Sequence, residues 1–135
     1  MEFKSYFISE GISKKPSNEW FQLHNHEEYE IFLFLEGDAK YIVENKSYAL
    51  EPNDLIFIKK HELHRIYHNR PVPYRRTVLY ISPSFFQENN CTDYETQLLE
   101  IFATGNKISG NIVRSSGLYD AFFRYKKYSE DYSIT

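Results

Sequence analysis

Three side chains that can bind a metal ion or exchange a proton lie close together in the segment FQLHNHEEYEIFLFLEG: His24, His26 and Glu30. If this segment is a β-strand, His24 and His26 project from the same face, because side chains two residues apart on a strand point the same way. His64, in a later segment, can supply a third nitrogen. Three imidazoles and one carboxylate suit zinc, iron, manganese, nickel or copper, so the residue types predict a divalent transition metal without naming it.

The same four residues have a second interpretation that needs no metal. At the rim of a pocket they would hydrogen-bond to one another, to water or to a small molecule, since one imidazole nitrogen can accept a hydrogen bond while the other donates one. Aromatic residues make up 18% of the chain and can form apolar pocket walls with polar tips. The sequence leaves both interpretations open.

Short strands, predicted from residue 20 to residue 81, must position these side chains. The segments are YEIFLFLEG, KYIVEN, SYALEPND, LIFIKK, LHRIYH and RRTVLYIS. They recur about every ten residues with short turns between them, which is typical of a sandwich or barrel. Strand alternation places Phe32 and Phe34 on the face of Glu30, and Ile66 on the face of His64, so we expect these residues in the barrel interior.

Helical patterns replace the strands after Pro83. Ser84 is predicted to cap a short helix, DYETQLLEIFAT to form a second one, and KISGNIV to be extended. In SSGLYDAFFRYKKYSEDY, Leu118, Phe122 and Tyr125 recur at helical spacing, with Ser115 or Ser116 as the N-cap. This apolar face could pack on the barrel or on a second subunit.

These patterns divide the chain into an N-terminal arm (1–16), a β-barrel (17–83) and a helical tail (84–135). The predicted fold is mostly β, with a barrel followed by two to three C-terminal α-helices. We expect His61 and His68 to be loop or surface residues.

Composition and charge exclude several classes of protein. A net charge of -3 and a pI of about 5.9, with no basic face, argue against contact between this chain and nucleic acid. The single cysteine, Cys91, excludes an internal disulfide and fits a reducing compartment. No segment resembles a signal-peptide core or approaches the length of a membrane span. We therefore expect a cytoplasmic protein without a membrane partner.

The histidine segments resemble the two signature motifs of the cupin superfamily. His24, His26, Glu30 and Gly37 match the first motif, His-x-His-x3-Glu-x6-Gly. The second, Gly-Asp-x4-Pro-x-Gly-x2-His-x3-Asn, is matched at Asp54 and His64, while other residues stand at its remaining positions: Asn53, Lys59, His61 and His68. The resemblance implies a cupin barrel, that is, a double-stranded β-helix or jelly roll.

A narrower resemblance covers most of the chain. HNHEEYEIFLFLEG, SYALEPNDLIFIKKHELH and RRTVLYISPSFF follow one another as in the N-terminal effector-binding and dimerisation domain of AraC-type transcription regulators. The resemblance implies a small-molecule effector, a homodimer formed through the helical tail, and DNA contact through a C-terminal helix-turn-helix reader. No such reader precedes Thr135, which implies either a domain separated from its reader or a regulator that lacks one.

Two functions remain to be compared. The first is a ligand-sensing domain that binds an effector, a sugar by family resemblance, and needs no cofactor; the arm would close over the pocket. The predicted ligand-binding residues are His24, His26, Glu30, Phe32, Phe34, His64, Trp20 and Arg75. Arg76 could likewise pair with an anionic effector. Leu118, Phe122 and Tyr125 would form the dimer contact. The alternative is a metal-dependent cupin enzyme, such as a dioxygenase or isomerase, that uses His24, His26, Glu30 and His64.

Overall fold

The computed structural model describes residues 6–20 and 26–124, with the side chain of Trp20 outside this description. These described ranges contain eight strands: β1 (Tyr6–Ser13), β2 (Tyr29–Glu36), β3 (Ala39–Val43), β4 (Lys46–Ala49), β5 (Leu55–Ile58), β6 (His64–His68), β7 (Tyr74–Ile81) and β8 (Lys107–Ile108). The helices are α1 (Ser84–Glu88), α2 (Thr92–Ile101) and α3 (Gly110–Ser115), with helical residues also over 118–124. No helix in these two ranges is long and apolar enough to cross a lipid bilayer.

The strands form two antiparallel sheets. The larger sheet has the order β1-β7-β2-β5-β8, and the smaller has the order β4-β3-β6. Apart from Glu30 and Glu36, the residues of β2 and β5 are apolar or aromatic on both faces because these strands lie inside the larger sheet, covered on each side. The predicted mostly-β fold with C-terminal helices is confirmed.

The inner face of the larger sheet packs against the smaller sheet. Phe32, Phe34 and Ile66 belong to this apolar cluster, as strand alternation predicted. Tyr41 joins it from β3 and lies 4.8 Å from Phe32, centroid to centroid. Two sheets in face-to-face contact therefore enclose the barrel interior.

The outer face of the larger sheet packs against the helices. Its buried residues are Tyr29, Leu33, Leu55, Phe57, Leu79 and Ile81, and they contact Phe86, Phe102, Val113 and Phe122 from the tail. Phe57 stacks on Phe102 with ring centroids 4.6 Å apart. The helical tail is therefore part of the folded domain.

The described part of the N-terminal arm predicted over residues 1–16 contains a β-strand. Residues 6–13 form β1, which pairs with β7 from Tyr6 opposite Ile81 to Ser13 opposite Tyr74. Backbone hydrogen bonds to β7 hold this edge strand, and Tyr6 and Ile8 also pack against the outer apolar cluster. The sheet therefore begins before the predicted boundary at residue 17.

The tail differs from its prediction in three details. α1 begins at Ser84, but no side chain caps it. In KISGNIV only Lys107–Ile108 is a strand, and α3 begins at Gly110, where the backbone N–H donates to Asp54. Phe122 is buried against the sheet, whereas Leu118 is 40% exposed. Tyr125 lies outside the described residues.

A buried asparagine ties the tail to the barrel. Asn106 Nδ2 donates to the carbonyl of Phe57 at 2.9 Å and to Oε1 of Glu62 at 3.1 Å. The Tyr48 hydroxyl donates to Asn106 Oδ1 at 3.0 Å. The connection between α2 and β8 is thus fixed to three separate parts of the barrel.

Candidate functional site

The barrel fold brings three of the four predicted metal or ligand residues together. Glu30 lies on β2, His64 begins β6 on the opposite sheet, and His26 lies just before β2. The backbone N–H of His61 donates to the carbonyl of His26 at 2.8 Å, so the two histidine segments are joined directly. His24 and the side chain of Trp20 lie outside the described residues.

His26 and His64 each direct their Nε2 atom toward Glu30. His26 Nε2 lies 3.4 Å from Glu30 Oε1, and His64 Nε2 lies 3.7 Å from the same oxygen. The Nδ1 atoms contact backbone carbonyls, of Glu28 at 2.8 Å and of Glu62 at 2.7 Å. Because a carbonyl can only accept, Nδ1 carries a hydrogen in both rings, and Nε2 is the nitrogen offered to the site.

Glu30 is a buried carboxylate, only 3% exposed. Burial raises its pKa, but hydrogen-bonding contacts with His26 and His64 outweigh burial and hold the pKa at about 2. The Tyr41 hydroxyl also donates to Oε2 at 2.8 Å. Glu30 is therefore an anion at neutral pH inside the barrel.

The contact with Glu30 also changes the basicity of His26. Its hydrogen bond to Glu30 raises the pKa of His26, and burial opposes this only in part. His26 and Glu30 thus favour each other's charged forms. A proton, a metal ion or a polar ligand group can neutralise the carboxylate at this position.

The spacing of three donor atoms in the site agrees in part with the spacing of ligand atoms around a bound metal ion. Those of His26, Glu30 and His64 lie within 4.8 Å of one another. A tetrahedral zinc with ligand distances of about 2.0–2.1 Å separates its donor atoms by roughly 3.3 Å, close to the two measured distances to Glu30. The Nδ1 contacts with carbonyls are also the outer contacts that metal-bound histidines usually make.

Two residues at glycine positions of the resembled second motif have left-handed backbone conformations. Asn53 and His61 stand at the two glycine positions, and their φ angles are +75° and +67°. Gly37, the glycine of the first motif, has a φ of +141°, which side chains rarely adopt. The substitutions in the second motif therefore leave His64 directed into the site.

Sequence reasoning missed two tyrosines at the site, Tyr41 and Tyr80. Tyr80 lies opposite Glu30 in the pairing of β2 with β7, and its ring is 5.7 Å from that of His26. Burial and the charge of Glu30 raise the pKa of Tyr80 to about 12. The alternation in RRTVLYIS could have indicated Tyr80, but not the strand that it faces.

Two predicted positions need correction. Arg75 was expected to bind ligand, yet it is half-exposed and lies 3.9 Å from Glu36; its neighbour Arg76 takes the inner face. His68 was expected at the surface, but it is buried at the end of β6 with its ring 4.5 Å from that of Tyr74. Alternation in the folded sheets decides both outcomes. His61 is exposed, as predicted.

The fold resembles several solved structures, each with a TM-score of 0.51. They are the plu4264 protein of Photorhabdus luminescens (17% identity, covering 70% of this chain and 73% of that one), a cupin 2 conserved barrel domain protein of Salinispora arenicola (13%, 70% and 73%), and the SPY1581 protein of Streptococcus pyogenes (13%, 61% and 68%). At these identities the likeness concerns the fold alone. No curated protein sequence matches the chain.

A family model gives the more specific result. The model of the AraC-like ligand-binding domain matches residues 6–97, which include β1 to β7, α1, and the first residues of α2. The match covers more than half of the chain and contains every described residue of the site. The chain belongs to the family of AraC-like ligand-binding domains.

Proposed function

We propose that this chain is the ligand-sensing and dimerisation domain of a transcription regulator, and that its effector binds at the inner face of the barrel. The observation that carries the proposal is the buried, ionised Glu30 between two histidines and two tyrosines. Buried titratable groups that shift one another's pKa values are typical of functional sites. DNA contact would belong to a C-terminal reader.

A route from the site to the tail supports a sensing role. The carbonyl of Glu62 holds the ring of His64, and the carboxylate of Glu62 accepts a hydrogen bond from Asn106. Asn106 lies between α2 and β8. An effector that displaces His64 therefore changes a contact that anchors the tail, and can favour one tail arrangement over another.

Binding at Glu30 is tested with effector screening by thermal shift, followed by calorimetry on the compounds that stabilise the protein. Glu30→Gln keeps the shape of the side chain but removes the charge, and is expected to lower affinity about tenfold or more. Glu27→Gln changes an exposed glutamate three residues away and should have no effect. Equal affinity for the wild type and Glu30→Gln would contradict an effector site at Glu30.

Exposed apolar residues on the tail support a homodimer. Ile101, Ile112 and Leu118 are 64%, 56% and 40% exposed. Light scattering is expected to give twice the chain mass of 16.2 kDa. Ile112→Glu should shift the protein toward the monomer, whereas Ile12→Glu, at an exposed position of β1, should not. A monomeric wild type at micromolar concentration would contradict the dimer.

A metal-dependent cupin function is the second candidate, favoured by the convergence of His26, Glu30 and His64. These residues would hold a divalent zinc, nickel, manganese or iron ion, which would supply Lewis acidity or oxygen activation. Elemental analysis of untagged protein is expected to find about one metal per chain, lost in His64→Ala and kept in His61→Ala, whose histidine is exposed. Metal-free wild type that also binds none of these ions in calorimetry would exclude this candidate.

A further inference from the structure

The inner face of β7 carries a cation, Arg76, at a distance from Glu30. We propose that Arg76 binds a carboxylate group of the effector, so that the ligand of this barrel is a small organic acid. The proposal rests on the proposed ligand-sensing function and specifies the chemical class of its ligand. The carboxylate of the ligand would lie beside the pairing of β1 with β7.

Arg76 is held in one position by the neighbouring edge strand. Its Nη1 donates to the carbonyl of Ser9 at 2.8 Å and lies 3.2 Å from the Ser9 hydroxyl. Gly11 lies opposite Arg76 in the pairing, and a Cβ at Gly11 would stand 2.7 Å from Arg76 Nε. Glycine at this position therefore lets the guanidinium lie across β1.

The charge of Arg76 has no carboxylate partner within residues 6–20 and 26–124. Two other arginines close in sequence do have one: Arg70 contacts Asp38, and Arg75 contacts Glu36. Arg76 is only partly exposed and is charged at every ordinary pH. A partly desolvated guanidinium is stabilised by a carboxylate, which its planar set of N–H groups can bind at two points.

The surface beside Arg76 suits a flat apolar ligand body. Tyr80 projects from the same face of β7 four residues away, about 13 Å along the strand. Phe7 stacks on Tyr80 with ring centroids 4.6 Å apart, and Phe7 is 51% exposed. This edge of the inner face is therefore accessible to a small molecule.

The end of the ligand opposite its carboxylate would contact Glu30, which lies next to Tyr80. A carboxylate in this position accepts hydrogen bonds and repels a second anion. The geometry therefore favours a monocarboxylate with a hydroxyl group at the opposite end and an aromatic body between them. A neutral sugar would leave Arg76 without a counter-charge.

Calorimetry with matched pairs of probes tests the proposal. The acids are 4-hydroxybenzoate, 4-hydroxyphenylacetate and 3-(4-hydroxyphenyl)propionate; each is paired with its primary amide, and glucose and galactose serve as neutral sugars. At least one acid is expected to bind the wild type about tenfold or more tightly than its amide, because only the acid forms the charge-assisted pair. This comparison needs no protein variant.

The variants assign the effect to Arg76. Arg76→Gln should bring the acid down to the affinity of the amide, while Arg75→Gln, next to it on the outer face, should not. Gly11→Ala should weaken the acid without removing a charge, and circular dichroism checks the fold of each variant. Where Arg76→Gln does not fold, Arg76→Lys takes its place and should retain part of the preference for the acid.

Two outcomes would overturn the proposal and leave the sensing function in place. One is equal affinity for acid and amide; the other is binding of a sugar that Glu30→Gln weakens and Arg76→Gln does not. Absence of binding by every acid, amide and sugar would overturn the carboxylate proposal. If the wider effector screen also found no compound that depends on Glu30, the sensing function would fail separately.

Discussion

The two faces of the larger sheet are built from the same strands, and both carry an apolar cluster, but the inner face also carries the buried carboxylate of Glu30. On β7, Thr77, Leu79 and Ile81 point outward and are buried under the helices, whereas Arg76 and Tyr80 point inward. On β2, Leu33 belongs to the outer apolar cluster, and Glu30 is the inner, ionised residue. Alternation along a strand therefore separates a face that packs only against the helices from one that combines an apolar cluster with polar groups able to bind a ligand.

The largest change in the free energy of unfolding is expected from a substitution on the outer face. Phe57→Ala removes a ring that stacks on both Tyr29 and Phe102, and should lower the free energy of unfolding by about 3–5 kcal/mol. Urea denaturation measures the change. Tyr80→Phe, its counterpart on the inner face, removes only a hydroxyl and should change stability by less than about 1 kcal/mol. A larger loss for Tyr80→Phe than for Phe57→Ala would contradict the separation of roles.

A smaller, pH-dependent change in the free energy of unfolding is expected when Glu30 on the inner face is replaced. Its pKa is lowered in the folded state, so its contribution to stability is present above the unfolded pKa of about 4.5 and is lost as the pH falls toward 2. The advantage of wild type over Glu30→Gln should therefore decrease by about 2–3 kcal/mol between pH 5 and pH 2. Urea denaturation with a chelator present measures this difference.

The contribution of His26 to stability should depend on pH in the opposite direction. Its pKa is raised above the ordinary histidine value of about 6.5, so its contribution to stability is present below that pH and decreases as the pH rises through the folded-state pKa. The stabilising contact between His26 and Glu30 is therefore strongest between about pH 4.5 and 6.5. A difference between wild type and Glu30→Gln that does not change with pH would show that folding leaves the pKa of Glu30 unchanged.

The smallest change in stability is expected at Thr77, the buried polar position on the outer face of β7. Thr77 is fully buried, and its hydroxyl has no hydrogen-bond partner among the described residues. Thr77→Val replaces the hydroxyl with a methyl group of similar shape and should raise the free energy of unfolding by about 1 kcal/mol. Thermal unfolding monitored by circular dichroism detects the gain. A loss of stability would indicate that the hydroxyl is hydrogen-bonded in solution.

The predictable part of the site is local. Alternation alone placed Phe32 and Phe34 with Glu30, because the period of two is a property of every strand. The sequence offered both Arg75 and Arg76 as partners of an anionic effector, because the pairing of β7 with β2 decides which of the two points inward. β1 was not recognised as a strand, since its hydrogen bonds come from β7, more than sixty residues later in the chain.

The sequence by itself determined the chemical types at the site, the succession of strands and helices, and the residues that share a face of each strand. Only the tertiary structure decided which face points inward, and hence that His68 is buried and that Tyr41, Tyr80 and Arg76 line the interior. The physical reason is that strand register is fixed by hydrogen bonds and packing between distant segments, and a shift of one residue exchanges the two faces.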